Sequence, residues 1–123
     1  MSDNDAPRIA EYRKATPGGA PGPWCAYFVS WVARRAGVPL GDSGQGYANV
    51  DALWSWAQQA GRAVSAGSRP RPDDLIVWDE HVGIVERVDA NGLIHTIEGN
   101  TSDQVARRVH SAAGAVGYVR LRA

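Results

Sequence analysis

Gly22-Pro23-Trp24-Cys25-Ala26-Tyr27-Phe28-Val29-Ser30-Trp31-Val32-Ala33-Arg34-Arg35-Ala36-Gly37-Val38 is the stretch on which the reading of this chain turns. It holds the only cysteine, at the point where a Pro/Gly-rich loop gives way to a helical pattern. Cys25, Phe28, Val32 and Ala36 recur at three- and four-residue steps and so share one face of an α-helix. Gly37 follows as a stop signal, and Pro39 blocks continuation. Cys25 therefore falls in the first turn, where unpaired backbone N–H groups and the positive end of the helix dipole favour negative charge. A thiolate is the nucleophilic form of cysteine, and such a position lowers a thiol's pKa. The plainer reading of a lone cysteine is a small buried hydrophobe. The rest of the chain has to decide between them.

Upstream, Ala6 to Ala15 is expected to form a short helix capped by Asp5, with Ile9, Tyr12 and Arg13 on a shared face. Met1 to Asp5 is expected to be loose. Thr16 to Pro23, rich in Pro and Gly, cannot continue a helix and is read as the loop that delivers Cys25. Downstream, Leu40 to Ala48 is loop. Asn49 caps a further helix from Val50 to Gln59, closed by Gly61, with Val50, Leu53, Trp54 and Ala57 as its apolar stripe. Ser65 to Asp74 is a second loop.

From Leu75 the period changes to that of strands. The expected strands are Leu75 to Trp78, His81 to Val88, Leu93 to Glu98, Val105 to His110 and Val116 to Leu121. Asp89-Ala90-Asn91-Gly92 is a hairpin signal, and Gly114 marks the last turn. Helices first and antiparallel strands after describe an α+β domain.

The chain has 123 residues, enough for one domain spanning 1–123. A chain of this size buries roughly two-thirds of its unfolded surface and needs no staple. Lys+Arg and Asp+Glu number 13 each, and that neutrality argues against a general nucleic-acid or anionic-membrane binder. No apolar run approaches the ~20 residues of a membrane span. The polar, acidic start lacks the basic and apolar regions of a signal peptide. The expectation is a cytoplasmic product, one exported by another route, or a piece of a longer protein. A monomer is expected.

A cysteine nucleophile needs a base, and the base needs an orienting group. The histidines are His81, His95 and His110. If the loop after Val88 has an even number of residues, His81 shares a sheet face with Glu98 and Asn100, and His95 falls on the other face. An odd loop reverses this. Glu98 then holds one ring nitrogen of His81 and leaves the other for Cys25. Asn100 would do the same or contact substrate. Gly83, on that face, would let the Cys25 helix approach closely. Asp79 is the competing acid and ranks below Glu98.

Four pieces of the chain resemble the CHAP domain, a papain-like amidase/peptidase module. They are Pro23 to Trp31, Asp73 to Trp78, His81 to Val85 and Ile97 to Asn100, in the family's order. The resemblance covers about Ile9 to Leu121. It implies a papain-like fold, with N-terminal helices packed on a five- or six-stranded antiparallel sheet. It implies Cys25 as nucleophile, His81 as base, Glu98 as orienting acid and Asn100 as a supporting polar group. The implied substrate is peptidoglycan, cut at the muramoyl–L-alanine bond, in the stem peptide or in its cross-bridge. Residues 15 to 24 carry no acid, so the calcium loop of some relatives is not expected, nor any other metal or cofactor. Among aromatics, Trp24 is the first choice for lining a substrate groove, with Tyr47 and Trp78 after it. The competing functions are an intracellular papain-like protease or isopeptidase and a non-catalytic binding module. An intact Cys25/His81/Glu98 set counts against the second of these.

Overall fold

The computed structural model describes residues 25–99 and 105–121. The first described helix, α1 (Cys25–Arg35), is buried on nearly every side through its first six residues and again at Ala33. It is a central helix rather than a surface one. Its end follows from Gly37, which takes φ +82°. The amide of Val38 donates to Ala33 O at 2.9 Å and that of Gly37 to Arg34 O at 3.2 Å, a Schellman cap. Ala36 lies past the helix end and is exposed, so it leaves the predicted apolar face.

The second helix, α2 (Val50–Gln59), starts where Asn49 Oδ1 accepts from the amide of Ala52 at 2.8 Å. Val50, Leu53, Trp56 and Ala57 are its buried positions. Trp56 thus takes the place expected of Trp54, which is half-buried. Gly61, at φ +72°, ends the helix as Gly37 ends α1.

Six strands follow: β1 (Ala63–Ser65), β2 (Leu75–Trp78), β3 (His81–Val88), β4 (Ile94–Gly99), β5 (Val105–His110) and β6 (Gly117–Val119). They form one antiparallel sheet in the order β1-β6-β2-β3-β4-β5. β1 is an addition to the five strands expected from sequence. It is too short to show a period and, among the described residues, pairs with β6. The fold is α+β and papain-like, with helices packed on a six-stranded antiparallel sheet.

Strand alternation divides the apolar side chains between two faces. Leu75, Val77, Val82 and Val119 pack with α1 and α2, supported by Ile84 and Ile97. Ile76, Val85, Ile94 and Tyr118 form a second cluster on the opposite face. Each such aliphatic side chain contributes roughly 1.5–3 kcal/mol when fully buried. The sheet curls around that second face. The Trp78 and His110 rings come within 4.7 Å, although β3 and β4 lie between their strands. At the head of β2, buried Asp74 accepts from both Arg120 Nε (3.1 Å) and Arg120 Nη2 (2.8 Å), tying β2 to the segment after β6.

Candidate active site

The site is assembled from one helix start and three strands. Cys25 is the first residue of α1, and no acidic residue stands in that first turn to oppose a negative sulfur. β2 and β3 are joined by the two-residue turn Asp79-Glu80, in which Glu80 takes φ +63°. That turn sets His81 as the first residue of β3, directly across from Trp78. Asp79 stays in the turn and is exposed.

Glu98 reaches His81 through a register with two irregularities. Val88 pairs with Ile94, so the intervening loop has an odd number of residues, not the even number on which the pairing depended. Taken alone this loop would put His81 and Glu98 on opposite faces. Between Val85, which faces Thr96, and Arg87, which faces His95, Glu86 is an extra residue. This β-bulge shifts the parity back. His81, Gly83 and Val85 therefore share a face with Thr96 and Glu98. His95 is on the other side, where it bonds Asp89 at 2.9 Å.

His81 Nε2 lies 2.7 Å from Glu98 Oε1. The Cys25 side chain acts on the same imidazole, whose Nε2 is committed to the carboxylate. Cys25 is 3% exposed and the His81 side chain 33%, so the ring is the solvent edge of the pair. Its pKa is raised to about 9, first by the Cys25 side chain and then by the bond to Glu98, against the opposing effect of burial. Burial acts most strongly on Glu98 and would raise its pKa. Hydrogen bonds from His81, Thr96 and His110 overcome this and hold it at about 2. The carboxylate is thus ionised, and the groups bonded to it are donors.

Two members of this cluster were not foreseen as such. Thr96 Oγ1 donates to Glu98 Oε2. His110 Nε2 lies 2.6 Å from the same oxygen. Trp78 stacks on His81 with centroids 5.4 Å apart and planes at 24°, and its ring meets His110 as well. It packs against both imidazoles.

Gly83 serves a different neighbour from the one expected. Its face is turned away from α1, and a Cβ there would lie 2.7 Å from Glu98 Cγ. The missing side chain makes room for the acid, not for the Cys25 helix. Tyr47 is tied to α1 at Ser30, whose Oγ accepts from its amide at 3.0 Å, and its ring lies 6.0 Å from that of Trp56. Trp24, Asn100 and the Ala6–Ala15 helix lie outside the described residues. An apolar groove beside α1, lined by Val29, Val32, Ala33, Val38, Leu75 and Ile84, includes none of Cys25, His81 or Glu98.

A family model described as the CHAP domain matches residues 16–100. The chain belongs to the CHAP domain family. The match takes in Cys25, His81 and Glu98 and stops short of His110. CHAP membership associates the chain with hydrolase activity of the amidase or peptidase kind, on peptide or peptidoglycan substrates in general. No curated protein matches the chain. Among the described residues, no group of three or more His, Cys, Asp or Glu could hold a metal ion. No helix among them is long and apolar enough to cross a membrane.

Proposed function

We propose that this CHAP domain is a cysteine-dependent peptidoglycan hydrolase. It cuts an amide bond in the stem peptide, the cross-bridge or the muramoyl–L-alanine link, and it acts at the cell wall. The observation that carries the reading is the position of His81, bonded to an ionised buried carboxylate and with its pKa raised most by the chain's only cysteine.

With its pKa raised to about 9, His81 is a strong enough base to take the proton of Cys25, and the sulfur is the nucleophile. The thiolate attacks the amide carbonyl carbon. The C–S bond forms as the carbonyl electrons move to oxygen. The backbone N–H groups at the start of α1 are oriented to stabilise that oxyanion. On collapse the C–N bond breaks, and the imidazolium gives its proton to the leaving amine. Water then attacks the thioester, with neutral His81 taking its proton. The thiolate leaves, the carboxylic acid is released, and His81 again carries the proton. Glu98 orients the ring and stabilises its charged form, as the acid of a serine triad does.

The test is to incubate purified sacculi, and separately a denatured protein, with wild type and with Cys25→Ala. New amine termini from sacculi are expected with wild type. In the variant their rate should fall by about 10⁴-fold or more, as when a covalent nucleophile is removed. Cleavage of the denatured protein alone would place the substrate elsewhere. Equal activity of the two forms would end the case for a cysteine enzyme.

A further inference from the structure

Outside the set that the family resemblance supplies, His110, on the edge strand β5, is a titratable side chain that touches the machinery. It lies beyond the stretch that matches the CHAP family. Its register partner on β4 is Ile94, two pleats along the same face from Glu98. The ring nonetheless spans to Glu98 Oε2 at 2.6 Å. The other carboxylate oxygen, Oε1, is the one that meets His81. The side chain of Glu98 is 5% exposed and that of His110 32%, so the bond runs from the protein's edge into its interior. An ionised carboxylate only accepts, so His110 presents Nε2–H to it.

We propose that His110 is a positioning residue, which pins Oε2 of Glu98 so that Oε1 stays on His81. The role rests on the reading of Cys25, His81 and Glu98 as catalytic. A carboxylate can turn about its terminal bond, and either oxygen serves equally well for one partner. With Oε2 fixed by His110 and Thr96, rotation breaks two hydrogen bonds at once. Glu98 is then held in the one orientation that supports the imidazole. His110 has a second contact, its ring against Trp78, which stacks on His81. The two contacts are separable by substitution. His110→Gln carries an amide N–H close to the position of Nε2 but lacks the ring. His110→Phe keeps a ring for Trp78 but lacks the donor.

The experiment records the NMR titrations of the His81 ring nitrogens and the Glu98 side-chain carboxyl in wild type and both variants, with kcat and KM on sacculi alongside. In His110→Phe the Glu98 titration should move upward, because the carboxylate loses a donor, and kcat should fall about 10-fold with KM unchanged. In His110→Gln both titrations and kcat should stay near wild type. If Phe behaves as wild type and Gln does not, the ring contact is what matters and the positioning role is overturned. Equal displacement in both variants, or none in either, overturns it too. The titrations do not depend on turnover. A failure of the hydrolase reading, with Cys25→Ala as active as wild type, is therefore told apart from a failure of the role given to His110.

Discussion

Gly83 stands across from Glu98, and the space it leaves is already taken by that side chain. In Gly83→Ala the new methyl would meet Cγ at 2.7 Å. Cγ is close to the backbone, and the carboxylate beyond it is held by three donors, so the side chain cannot swing away cheaply. Overpacking of this kind costs about 1–3 kcal/mol. A carboxylate moved by even ~1 Å also misdirects His81, for which a fall in kcat on the order of 10²-fold is expected. Urea denaturation and kcat on sacculi check both. Wild-type values for the pair would mean that Glu98 is not held rigidly against Gly83. At this scale the legible residues were those whose neighbours lie nearby in sequence or across one hairpin. Cys25 was marked by the change from loop to helix, and His81 and Glu98 by their places on adjacent strands. His110 gave no such signal. It meets Glu98 two pleats away from its own register partner and Trp78 from across two intervening strands, and no periodicity encodes that.

Elements were legible where their ends carry chemistry. Gly37 and Gly61 both take the left-handed conformation that closes their helices. Asn49 caps α2 through its side chain as its residue type and place suggest. Removing that cap in Asn49→Ala should cost about 1 kcal/mol. Activity per folded molecule should not change, because none of the residues of the Cys25–His81–Glu98 cluster comes from α2. A urea midpoint lowered at constant kcat is the expected result. A loss of kcat would mean that α2 reaches the site. The β3–β4 hairpin was legible in position but not in register. Whether Asp89 to Leu93 closes with an odd or even count depends on local turn geometry, and the bulge at Glu86 has no residue type that announces it. The two irregularities offset one another. The predicted shared face of His81 and Glu98 was therefore right for a reason the sequence did not contain.

On the scale of the whole molecule, α1 sits on one side of the sheet while His81 and Glu98 belong to the face that curls away from it. The first residue of α1, Cys25, and the first residue of β3, His81, come together across the two sides. The charged cluster at that junction couples folding to pH. The pKa of Glu98 is lowered, from 4.5 to about 2. Its contribution is complete above about 4.5 and is lost as pH falls through 2. The pKa of His81 is raised, from 6.5 to about 9. Its contribution is complete below about 6.5 and is lost as pH rises through 9. Both are present in full between those two unfolded-state values, so unfolding free energy from this cluster should form a plateau there. It should decline on each side by an amount on the order of 1–3 kcal/mol. Urea unfolding of wild type, Glu98→Gln and Cys25→Ala across about pH 3 to 9.5 separates the causes. Glu98→Gln should flatten the acid flank, since no carboxylate remains to titrate there, and should shorten the alkaline one. Cys25→Ala should leave the acid flank and reduce the alkaline flank most, because the sulfur is the largest cause of the raised His81 pKa. An acid flank equally steep in Glu98→Gln and wild type would show that other carboxylates control it, and that the hydrogen bonds to Glu98 do not hold it ionised.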